Sequence, residues 1–131
     1  MEDKKPHTLE EAIKLLLQVP EYKMAQQNKT GPKILIGSPR SRVGKILVDM
    51  TGGTEGSKEI FSRLANVGIG TLICMHLSEE HFAKVKDQHI NVIIAGHIAS
   101  DSIGFNLLLD KLARQDRFEF IPCSGFERVE R

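Results

Sequence analysis

Tryptophan is absent from this 131-residue chain, and aromatic side chains are scarce, with six Phe and one Tyr. Proteins that grip single-stranded nucleic acid stack its bases on aromatic rings, so a stacking platform is excluded as an organising feature. Charge of one sign is missing as well: 18 Lys and Arg against 17 Asp and Glu leave a formal charge of +1. Such a balance sets up no field that would recruit nucleic acid or an anionic membrane. No apolar run approaches the ~20 residues that cross a bilayer, and the opening MEDKKPHTLEEA holds no apolar signal core. Cysteine is limited to Cys74 and Cys123, without C-x-x-C spacing, which excludes a zinc knuckle and a disulfide framework. The expectation is a protein of a reducing, cytoplasmic setting, with neither nucleic acid nor membrane as partner.

What is present is enough for one hydrophobic core. At 40% apolar composition, residues 1–131 are expected to form a single domain, with a helix and connector over 1–32 and the core over 33–131. Thr8 with Glu11 three residues on reads as a capping box for a helix over about Thr8 to Val19. Pro20 is expected to stop that helix, leaving Glu21 to Lys33 as a polar surface loop. The aliphatic runs Lys33 to Gly37 and Lys45 to Asp49, separated by a charged tip, look like two paired strands. From Lys45 onward, strand and helix signals alternate. Strands are expected over Thr71 to Met75, Asn91 to Ala95 and Phe118 to Ile121, and helices over Ser57 to Val67, Ser78 to Asp87 and Ile98 to Arg114. The alternation predicts an α/β fold of three α/β/α layers around a mixed, largely parallel sheet.

In such sheets ligands gather where the strands end at their carboxyl side, because loops converge there and helix N-termini point at them. Three segments satisfy that rule. In the first, Thr51, Gly52, Gly53 and Thr54 open a glycine loop whose backbone amides could meet an anion. Its spacing is neither that of a Walker loop nor that of a dinucleotide fingerprint, and a tight turn needing positive φ explains it equally well. In the second, His76 leaves a strand, and Glu79, Glu80 and His81 follow in an acidic helix start; only His76 is taken as a functional candidate. In the third, His97 leaves a strand and Asp101 lies four residues later, so both can face one point above the sheet. Imidazole with carboxylate is a ligand pair for Zn, Fe or Mn. The alternative is that Asp101 merely stabilises a helix start. Arg40, Arg42 and Lys45 have the composition of a phosphate clamp, although solvated hairpin tips share it. His7 and His89 have polar surroundings and are given no role, and Ser124 lacks the G-x-S-x-G setting of a hydrolase nucleophile.

Four segments together resemble the carboxyl-terminal half of the NGG-one-interacting factor three family, the dinuclear metal centre proteins often labelled GTP cyclohydrolase I type 2 homologues. They are V-D-M-T-G-G-T-E-G-S-K-E-I-F (48–61), M-H-L-S-E-E-H (75–81), N-V-I-I-A-G-H-I-A-S-D-S (91–102) and I-P-C-S-G-F (121–126). The G-H-x-x-x-[ED] element is the specific part, and it implies His97 and Asp101 as metal ligands, with Asp101 a shortened form of the family's usual Glu. His76 stands where the family has a strand-end acidic residue. The His-His pair that marks the family's amino-terminal half has no counterpart here. The resemblance thus implies a partial divalent-metal site, a hydrolase-like (cyclohydrolase-like) chemistry if the site is completed, a homo-oligomer, and a chain that is either a natural short form or a cut one. Two other readings stand beside it: a non-enzymatic assembly or partner-binding module, and a phosphate or small-molecule binder using Thr51 to Gly56 with Arg40 and Arg42. Ile98, Ile103 and Phe105 supply the apolar surface expected for self-association.

Overall fold

The computed structural model describes residues 5–52 and 56–131. Its elements run α1 (Leu9–Leu16), α2 (Pro20–Gln27), β1 (Lys33–Ile36), β2 (Lys45–Asp49), α3 (Ile60–Asn66), β3 (Ile69–Cys74), α4 (Glu79–Asp87), β4 (Asn91–Ile94) and α5 (His97–Ala113). The four strands form one sheet in the order β1-β4-β3-β2, parallel throughout except that β1 runs antiparallel to β4. Alternating side chains of the buried strands β3 and β4 feed two cores, as a sheet covered on both faces requires. Ile73 and Ile93 pack with Leu9, Tyr22 and Ala99 under α1, α2 and α5, whereas Leu72, Cys74 and Val92 pack with Phe61 and Val85 under α3 and α4. The three-layer α/β/α architecture with a mixed, largely parallel sheet is therefore the one present.

Four local expectations are corrected. Pro20 does not end in a loop: it is the first residue of α2, where its missing N–H has no intrahelical partner to lose, and Tyr22 and Glu21 of that helix are buried. The runs Lys33 to Gly37 and Lys45 to Asp49 do not pair, but lie on opposite edges of the sheet. The segment between them is no hairpin tip. It crosses the amino ends of β3 and β4, where Thr71 donates its hydroxyl to the Val43 carbonyl at 2.6 Å and Asn91 donates its amide to the Arg42 carbonyl at 3.1 Å. Buried Val43 faces the core as it passes. Phe118 to Ile121 forms no strand and pairs with neither sheet edge; Phe118 and Ile121 are exposed rather than packed on the sheet. Finally, α5 begins one residue early, at His97, since Gly96 at φ +96° serves as its N-cap. Asp101 therefore sits a full turn in rather than at the helix start.

Thr8 caps α1 as expected, its hydroxyl accepting from the Glu11 N–H, while Glu11 reaches one residue further back than in a capping box, to the N–H of His7. Beyond the sheet, the segment 127–131 folds back over α2 and α5 and is held by side chains. Arg131 meets the buried Glu21 carboxylate at 2.6 Å, Arg128 meets Asp110 at 2.6 Å, and Asn106, with no exposed surface, lies between them.

These ion pairs make stability pH-dependent. Burial pushes the Glu21 carboxyl upward, but hydrogen bonds from Arg131 and Asn106 together outweigh that and hold it below the ordinary Glu range. The Arg128 hydrogen bond holds Asp110 below the ordinary Asp range. A carboxylate whose folded pKa is depressed contributes stability above its unfolded value and loses it as pH falls through the folded one, here below about pH 4. Urea titrations from pH 7 to pH 3 should show the Glu21→Gln variant less stable than the parent at pH 7 and flatter in its decline. Parallel declines would contradict this assignment.

Candidate functional site

The sheet register brings the carboxyl ends of the parallel strands level, with Asp49 beside Cys74 and Cys74 beside Ile94. Residues leaving those strands therefore share one edge. After β2, the Asp49 side chain accepts from the Thr51 N–H at 3.0 Å, which turns the chain toward Gly52. After β3 comes His76, and after β4 the positive φ of Gly96 starts α5 at His97.

His97, Asp101, His76 and Gly52 converge there. His97 Nε2 lies 3.2 Å from Asp101 Oδ2, one turn apart on the same helix face, and both side chains are about half exposed. The His76 ring stands 5.3 Å from that of His97, tilted by 37°. Gly52 closes the other side, where a Cβ would come within 3.3 Å of His97 Nε2. A side chain at position 52 would thus crowd the nitrogen that faces Asp101. The backbone of Gly52 does not occupy the left-handed region expected for the loop, and its requirement is one of space. Gly53 and Thr54, the other two loop candidates, lie outside the described residues.

Among the described residues, no group of three or more His, Cys, Asp and Glu side chains is arranged to hold a metal ion. The His97–Asp101 pair stands at ion-pair distance, and the same spacing is compatible with two donors of one cation. Two metal–ligand bonds of about 2.1 Å meeting at 90–109° set their donor atoms about 3.0–3.4 Å apart, and the observed 3.2 Å falls inside that range. One nitrogen and one oxygen donor suit Zn, Fe or Mn.

Two cavities open near this edge, one reaching His97 and the other His76. One of about 440 Å³ lies between α2 and α5 and reaches His97, Gly96 and Thr30. The other, about 260 Å³, runs beneath His76 and is walled by Phe61, Leu64 and Leu72. Arg40 and Arg42 do not join this edge. They sit on the connector that crosses the amino ends of the strands, a β2 length away, roughly 16 Å at 3.3 Å per residue. Arg40 and Arg42 thus do not share an edge with Thr51 and Gly52, the described residues at the start of the glycine loop.

His81, to which the sequence reading gives no role, is a structural residue of this edge. Its ring is nearly buried, bonds Ser78 Oγ at 2.8 Å and the Gly56 carbonyl at 2.9 Å, and meets the Phe61 ring edge-on. With the carbonyl of Gly56 accepting from Nε2–H, Nδ1 accepts from the Ser78 hydroxyl, so the network assigns the Nε2-protonated tautomer. Lys58 and Glu80 add an ion pair between the same two segments. The available sequence signal was Ser78 three residues before His81, which places a ring nitrogen back over the cap. No comparable signal marked Glu21, Asn106 and Asp110, although Ser102, Asn106 and Asp110 recur every four residues in an apolar helix.

Neither a family model nor a curated protein matches the chain. Solved structures do. A NIF3 superfamily protein from Sphaerobacter thermophilus superposes with a TM-score of 0.68 at 26% identity, over 82% of this chain and 38% of that one. A Bacillus cereus protein related to NIF3 superposes with a TM-score of 0.55 at 13% identity, over 90% of this chain and 34% of that one, and shares the fold. The chain thus spans little more than a third of the length of either. NIF3 is the NGG-one-interacting factor three whose family the four motif segments resemble, and sequence motif and superposition agree: this chain is related to the NIF3 superfamily and matches a domain-sized part of the Sphaerobacter thermophilus protein.

Proposed function

We propose that the chain contributes half of a divalent-cation site of a hydrolase-like enzyme, with His97 and Asp101 as the ligands and the tilted His76 ring beside them. The observation that carries this reading is the 3.2 Å spacing of His97 Nε2 and Asp101 Oδ2 in space that Gly52 keeps clear of a Cβ. Two protein ligands leave most of a coordination sphere open, so affinity should be modest until further donors arrive from outside the described residues. A bound divalent cation supplies Lewis acidity and a water acidic enough to serve as nucleophile near neutral pH. The residues of this chain supply the edge for that chemistry: the Asp101 carboxylate orients His97, and the neighbouring cavity of about 440 Å³ is sized for a small molecule.

Calorimetric titration with Zn or Mn tests the site. The parent should bind one equivalent weakly, His97→Ala should abolish binding, and Gly52→Ala should weaken it about tenfold by crowding Nε2, which is about 1.4 kcal/mol. Because a protonated imidazole cannot ligate, binding should also fade in acid. Equal affinity in the parent and His97→Ala would remove the metal reading. The second reading, an assembly module, is favoured by Ile98 and Phe105 on the outer face of α5, 61% and 49% exposed. Light scattering would support it by showing a homo-oligomer whether or not metal is added.

A further inference from the structure

Segment 127–131 carries no helix or sheet ladder, yet it is held with the specificity of a bound peptide. Asn106 reads its backbone as a neighbouring strand would, donating Nδ2–H to the Glu127 carbonyl at 3.1 Å and accepting from the Val129 N–H at 3.1 Å. Those two contacts fix the register of the segment on α5. On either side an arginine enters an acidic pocket. The Arg128 guanidinium lies between Asp110, at 2.6 Å, and the face of the Phe120 ring, 4.9 Å from its centroid. Carboxylate on one side and an aromatic face on the other select a planar guanidinium over an ammonium. Arg131 reaches Glu21 Oε2 at 2.6 Å, and the other oxygen of that carboxylate accepts from Asn106 at 3.0 Å.

Glu21 and Asp110 are anchored on two different helices, α2 and α5, and are buried beneath the segment that lies over them. Together they present two negative pockets to whichever extended segment carries cations at the matching spacing. The fit to the segment now in place is incomplete. Among the described residues, Asp110 Oδ2 and Arg128 Nε are buried without a hydrogen-bond partner, so the pair makes one bond where the guanidinium fork could make two.

We infer that the seam between α2 and α5 is a recognition site for an extended peptide with arginines at positions i and i+3, occupied here in cis by Glu127–Arg131 and open to exchange with a peptide of the same chemistry in trans. The cis segment competes at an effective concentration in the millimolar range because it is tethered. A free peptide therefore binds well only when the tethered segment is disabled.

The test uses the 131-residue chain and a fluorescein-labelled hexapeptide, Phe-Glu-Arg-Val-Glu-Arg, followed by fluorescence anisotropy. The Arg128→Ala, Arg131→Ala double variant keeps Glu21, Asn106 and Asp110 and should bind the peptide at least about tenfold more tightly than the parent does. Replacing both peptide arginines by lysine should weaken binding about tenfold, and replacing them by alanine should abolish it. Adding Asn106→Ala to the double variant should also abolish it. Should the double variant fail to fold, Arg131→Ala alone serves, because that side chain is about a third exposed; it should again bind more tightly than the parent. A folded variant that binds no better than the parent, or binding indifferent to the peptide arginines, would overturn the proposal.

Discussion

Replacing Gly70 with alanine is expected to cost on the order of 4 kcal/mol and, at a chain of this size, about 15 °C in melting temperature. Gly70 is the second residue of β3, and the chain joining β1 to β2 crosses directly over it. A Cβ at this position would lie 2.7 Å from the Val43 carbonyl oxygen and 3.1 Å from the Gly44 Cα. Both obstacles are backbone, so no side-chain rotation relieves them. Moving the connector away would break the Thr71 hydroxyl bond to Val43 and the Asn91 bond to Arg42, and would lift Val43 out of the core. Leaving such buried groups unpaired costs about 1–3 kcal/mol each. Urea denaturation decides it, and a Gly70→Ala protein as stable as the parent would show that the crossing is not held as described.

Asn106→Ala is expected to cost about 3 kcal/mol. Its amide satisfies the Glu21 carboxylate, the Glu127 carbonyl and the Val129 N–H at once, in a place without solvent access. Truncation leaves all three without that partner and opens a small void. Hydrogen exchange adds a local signature: the Val129 amide should lose its protection while the strand amides of β3 and β4 keep theirs relative to global unfolding. Intact protection at Val129 would mean that the segment is held by its arginines alone.

The layers and the strand-end site were legible in the sequence because they follow from periodicity and position. Continuous apolar runs at Thr71 to Met75 and Asn91 to Ala95 mark strands buried on both faces, and the alternation fixes where their carboxyl ends lie, so His76 and His97 fall on one edge without any knowledge of contacts. Non-local pairing was not legible. The two edge strands look like a hairpin because they are close in sequence, and only Asn91, Thr71 and Gly70, more than 25 residues away, direct the connector across the sheet. Pro20 illustrates a different ambiguity, since one residue type both stops a helix and starts one, and the decision rests on Tyr22 packing in the core. The buried polar network was invisible for a third reason: Glu21, Asn106 and Asp110 look like solvent-facing residues until Arg128 and Arg131 arrive from the far end of the chain. At the site itself, the pairing of His97 with Asp101 was readable from i, i+4 spacing, whereas the spatial role of Gly52 required the fold.

The cation half-site is tested most directly by diffraction from crystals soaked in Zn, with data collected at the metal's absorption edge. The account predicts an anomalous peak within about 2.0–2.2 Å of both His97 Nε2 and Asp101 Oδ2, on the carboxyl edge of the sheet, and no such peak in His97→Ala crystals treated identically. A fully loaded parent crystal with no peak at that edge, or with the same peak in the His97→Ala protein, would contradict it.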